Sequence, residues 1–83
     1  MQCAILDAKK TGERIKELRK ELDLTVEEIS SHLGLGSVQA VYKWQRGDSL
    51  PTVDNLYALS KLFKTPVDEI LRGDREDESS PGL

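Results

Sequence analysis

The stretch TVEEISSHLGLGSVQAVYKWQRG, residues 25–47, decides the fold. Thr25 with Glu28 three residues on is a capping box, in which the hydroxyl serves the third amide and the carboxylate reaches back. Val26, Ile29 and Leu33 then recur at helical spacing, so a helix starts here with one apolar face. Gly34 is placed to end it in the left-handed conformation that glycine adopts cheaply. Ser37 is the N-cap candidate of a second helix that ends near Arg46, with Gly47 just past its end. On that helix Val41 and Trp44 sit three apart and face inward, whereas Val38, Gln39, Tyr42 and Lys43 are left outside. An outer face of glutamine, tyrosine and lysine beside a valine is not the ordinary solvating mixture of glutamate and lysine.

The pattern continues on both sides. Upstream, a helix is expected from about Ala8 to Leu22, with Ile15, Leu18 and Leu22 on one face. Asp7 suits its N-cap, although Gly12 weakens the first turn and a start near Thr11 is the alternative. Downstream, Asp48 to Pro51 form a loop, and Thr52 caps a helix with Val53, Leu56, Leu59 and Phe63 on its core side. Thr65-Pro66 starts a short fifth helix, proline being pre-set for the first helical position. Val67, Ile70 and Leu71 close the core and Gly73 ends the helix. Almost no strand signal and uniformly short loops give an all-α fold of five packed helices over residues 11–72, with 1–10 leading into the first.

Eighty-three residues allow one domain. The net charge of −3 is not spread evenly: residues 1–72 hold eleven basic and eleven acidic side chains, and 73–83 supply the whole imbalance. That end, with Asp74, Glu76, Asp77 and Glu78 against Arg75, reads as a disordered acidic tail. The lone Cys3 excludes an internal disulfide, and with the lone His32 it forms no metal set. The apolar run Cys3–Leu6 is far short of a secretory leader, no membrane span is visible, and a cytoplasmic setting is expected. With no nucleophile–base–acid set and no phosphate loop, the expectation is a binding module without cofactor, metal or small-molecule ligand, not an enzyme.

Two short helices joined by a glycine-containing turn, the second with an unusual outer face, have the layout of a helix-turn-helix. Gly12-Glu13-Arg14-Ile15-Lys16-Glu17-Leu18-Arg19, Leu24-Thr25-x-Glu27-Glu28-Ile29, Leu33-Gly34, Ser37-x-Gln39-x-Val41-x-Lys43-Trp44-x-Arg46-Gly47 and Pro51-x-x-x-x-Leu56-x-x-Leu59, taken in order, closely resemble the Cro/repressor family. The resemblance implies a phage-repressor-like fold, double-stranded DNA as partner, a homodimer on a two-fold operator, and residues 37–46 as recognition helix. It implies base contacts from Ser37, Val38, Gln39, Tyr42 and Lys43, and phosphate contacts from Thr25, Arg46 and Asn55. Independently of it, glutamine pairs bidentately with adenine, lysine donates to guanine and valine touches a thymine methyl. Valine stands at 26 where the family usually has a phosphate-clamping glutamine, and the turn before Ser37 is one residue longer than the common form. The alternative left open is a protein-interaction module, such as an antitoxin-like partner, on the same fold.

Overall fold

In a computed structural model, which describes residues 5–73, the chain forms α1 (Ala8–Glu21), α2 (Val26–Leu33), α3 (Gln39–Arg46), α4 (Val53–Phe63) and α5 (Val67–Ile70). The expected acidic tail beyond Gly73, and Cys3, lie outside the described residues. The capping box at α2 is formed in both directions: Glu28 N–H donates to Thr25 Oγ1 at 3.0 Å and Thr25 N–H to Glu28 Oε1 at 2.8 Å. Gly34 takes the left-handed conformation at the end of α2 and Gly47 does so at the end of α3. Asp7 caps α1 by accepting from the Lys10 amide, so the helix begins at Ala8 in spite of Gly12.

Gly12 has a tertiary reason. A Cβ at this position would lie 2.0 Å from the Trp44 carbonyl oxygen and 2.9 Å from that of Gln45. The absence of a side chain lets the last turn of α3 pack against the backbone of α1. Arg19 ties the same pair of helices by donating from Nε to Gln45 Oε1 at 2.9 Å, and its Nη1 donates to the Leu24 carbonyl in the turn after α1, also at 2.9 Å. Around this contact Ile15, Leu18, Val26, Ile29, Val41, Trp44, Leu56, Leu59, Phe63 and Ile70 form one buried cluster. Thr11, fully buried, joins the first and last described segments: its hydroxyl accepts from the Arg72 amide at 2.9 Å, and Leu6 pairs with Gly73 in an isolated antiparallel bridge.

Five sequence expectations are corrected. Leu22 is 45% exposed, because α1 ends at Glu21 and the chain turns through Asp23 in the left-handed region, bringing Leu24 to the core instead. Val53 is 80% exposed: at about 100° per residue it sits well round the helix from the centre of the Leu56–Leu59–Phe63 face. Pro66 occupies the cap of α5 and not its first turn. That helix stops at Ile70, and Gly73 serves the bridge with Leu6. Helix α3 begins at Gln39, two residues after Ser37.

Lys64 caps α4 in the left-handed conformation at φ 56°, where a Cβ is unfavourable. Lys64→Gly is therefore expected to stabilise the domain by about 0.5–1 kcal/mol, the relief of αL strain outweighing the greater freedom of glycine in the unfolded chain. An unchanged or lower urea midpoint would show that the strain is not stored there.

Candidate nucleic-acid interface

The turn between α2 and α3 is fixed by a side chain that the sequence reading passed over. Ser30 is buried on α2, and its hydroxyl donates to the Ser37 carbonyl at 2.7 Å. With Gly36 at φ 83°, this bond holds the Ser37 peptide in the turn. Ser37 consequently does not cap α3 in the expected way. Its Oγ lies 3.4 Å from the Gln39 amide, Val38 occupies the cap position, and Val38 makes no side-chain cap bond. The turn thus runs through Val38, and helical backbone begins at Gln39. A serine at the edge of the Val26–Ile29–Leu33 face, four residues from Val26 and three from Leu33, was the available signal for Ser30, since a buried hydroxyl needs a partner.

Ser30→Ala should leave the Ser37 carbonyl without its protein donor and cost about 1 kcal/mol of stability. Because the bond sets where α3 starts, loss of binding by the interface is expected to exceed what that loss of stability explains. Chemical denaturation beside a binding titration checks it; equal stability and equal binding would remove Ser30 from the interface's support.

Helix α3 presents Gln39, Tyr42, Lys43 and Arg46 outward, at spacings of three, four and seven residues that keep them on one stripe. Val41 and Trp44 anchor the opposite face, at 0% and 4% exposure. Val38 departs from its expected outward placement: it is half-buried and packs against the core, so only its edge is available. Ser37 is exposed at the turn.

The three expected phosphate-contacting residues differ in state: Thr25 caps α2, Arg46 ends α3 and Asn55 lies in the first turn of α4. The Thr25 hydroxyl accepts from the Glu28 amide, leaving its own proton to donate outward. Arg46 Nε donates to Asp48 Oδ2 at 2.9 Å in an exposed ion pair, which leaves its terminal guanidinium nitrogens for a further acceptor. Asn55 is half-buried, its backbone N–H donating to the capping Thr52 Oγ1 at 3.3 Å. Val26, in place of a polar clamp, is buried at 5% exposure and belongs to the core. Of the carboxylates, Asp48 meets the stripe directly through its pair with Arg46; Glu27 and Glu28 stand in the first turn of α2 and Asp54 in that of α4. The α3 face offers a carboxamide, a phenol and an ammonium on one stripe, with the Arg46 guanidinium paired to Asp48 at its end.

A helix-turn-helix family matches residues 15–70. The HTH-type transcriptional regulator DicA of Escherichia coli (strain K12) is 41% identical over 70 residues, covering 84% of this chain and 51% of DicA. Repressor protein C2 of Salmonella phage P22 is 36% identical over 63 residues, covering 76% of this chain and 29% of the repressor. The chain thus spans about half the length of DicA and less of C2. The crystal structure of the P22 c2 repressor in complex with synthetic operator 9T superposes with a TM-score of 0.70 at 36% identity, over 77% of this chain and 96% of that one.

Proposed function

The chain belongs to the helix-turn-helix family of Cro/C1-type repressors, and from that membership we propose that it is a sequence-specific DNA-binding transcriptional regulator that lays α3 in the major groove. The observation that carries this reading is the outward stripe Gln39–Tyr42–Lys43–Arg46 on a helix whose other face is locked by Val41 and Trp44. Gln39 would pair with adenine and Lys43 with guanine, Tyr42 would pack on the bases beside them, and Ser37 and the edge of Val38 would meet the groove where the helix begins. Thr25, Arg46 and Asn55 would fix the domain on phosphates. One such helix reads too few base pairs for high specificity, so the reading includes a homodimer on a two-fold operator with half-sites about 34 Å apart. Such a regulator works in the cytoplasm, on double-stranded DNA, and needs no cofactor.

The Arg46–Asp48 pair, which offsets one of the two positive charges on the stripe, favours a second reading, a protein-binding module in which α3 meets another chain. Gln39→Ala and Lys43→Ala separate the two. On the preferred duplex each is expected to cost about 1–3 kcal/mol of binding. On random duplex Gln39→Ala should lose almost nothing, because a base contact carries sequence information. Equal losses on both duplexes would show that Gln39 does not read bases.

A further inference from the structure

The most exposed large apolar side chain among the described residues is Val53, at 80%, and Tyr57, one turn on along α4, follows at 62%. Tyr42 belongs to the α3 stripe, Leu22 ends α1, and Ile5 and Leu6 lie on the segment that pairs with Gly73. Val53 and Tyr57 are therefore a separate surface, which the fold leaves uncovered and the base-reading face does not use. Lys61, a further turn along, extends it: its Nζ lies 5.1 Å from the centroid of the Tyr57 ring. Asp54 stands beside Val53 in the first turn. Along one outer face α4 thus runs from an acid, past an aromatic ring, to a base.

We propose that this face of α4 is where a second copy of the chain docks, the two α4 helices lying antiparallel across a two-fold axis at Tyr57. The inference names the surface for the homodimer of the preceding reading and rests on it for the oligomeric state. Charge complementarity selects the occupant. Asp54 and Lys61 are seven residues apart, about 10 Å along the helix and nearly on one line, with Tyr57 between them. Reversing one copy against the other sets each Asp54 opposite the other copy's Lys61 and brings the two Tyr57 rings together at the axis. Val53 of each copy then meets the aliphatic stem of the other's Lys61. A parallel pairing would instead stack like charges. Few surfaces complement themselves in this way, and an isologous dimer requires it. With four side chains assigned to it, against roughly 20–30 residues a side in a standard stable interface, the dimer in free solution is weak, and paired half-sites on DNA raise its effective concentration.

Sedimentation equilibrium of the free chain over a wide concentration range, without DNA, tests this. The expected result is a concentration-dependent dimer that Tyr57→Glu weakens about tenfold or more by placing two carboxylates at the axis. Tyr57 is exposed, and an unchanged circular dichroism spectrum verifies that the variant is folded. D54K and K61E should each weaken the dimer, and the D54K/K61E double variant should restore it, because the exchanged charges again face their opposites. A dimer untouched by Tyr57→Glu, or a double variant no better than the singles, overturns the surface while leaving a dimeric regulator intact. A chain monomeric at every concentration overturns the surface and the free homodimer together. DNA affinity of Gln39→Ala is measured separately and bears only on the α3 reading.

Discussion

Gly12→Ala is expected to cost the domain about 3 kcal/mol or more, at or beyond the usual upper end for overpacking. One methyl group has this effect because the obstacle is backbone. The added Cβ would sit 2.0 Å from the Trp44 carbonyl oxygen, and neither that carbonyl nor α1 has a rotamer that moves it aside. Relief requires α1 and α3 to part, and with them the Arg19–Gln45 bond and the Trp44 packing. Alanine is otherwise the better helix former, by about 1 kcal/mol, so helix propensity alone predicts the opposite sign. The urea midpoint decides between them. A midpoint at or above that of the parent chain would mean that the two helices do not approach this closely.

Trp44→Ala is expected to cost about 3–5 kcal/mol, a large share of the stability of a domain this size. Trp44 is 4% exposed and stands where α3 meets α1, so truncation leaves a cavity at the contact that holds the recognition helix. Tyr42, two residues before it, is 39% exposed and faces outward, and Tyr42→Ala should leave the melting temperature nearly unchanged while weakening DNA binding. Thermal unfolding of the two variants side by side checks the assignment of faces. A Trp44→Ala chain with near-parental melting that fails on DNA would exchange their roles.

Much of this was legible in the residues. Capping chemistry is local, so the Thr25–Glu28 box, Asp7, Thr52 and the glycines at 34 and 47 placed helix ends correctly. Three-and-four spacing separated Val41 and Trp44 from Gln39, Tyr42 and Lys43. Spacing failed where the helix did not continue, at Leu22, and where a first-turn residue sat off the centre of the apolar face, at Val53. Gly12 looked like a weakness because its reason lies thirty-two positions away, in the carbonyl of Trp44. Ser30 was hidden for a similar cause: its partner is a backbone oxygen in a turn whose course depends on the bond itself. Contacts between elements, which no local pattern encodes, account for Gly12 and Ser30.

If α3 reads base sequence, selection from a random DNA pool should enrich a two-fold symmetric motif with half-sites about one helical turn apart. Titrated across salt concentrations, the recovered duplex is expected to bind at least about a thousandfold more tightly than a scrambled one. Affinity for both should fall steeply as salt rises, through release of counterions from the contacted phosphates. No enriched motif, with equal and salt-insensitive binding to the two duplexes, would show that α3 does not read bases.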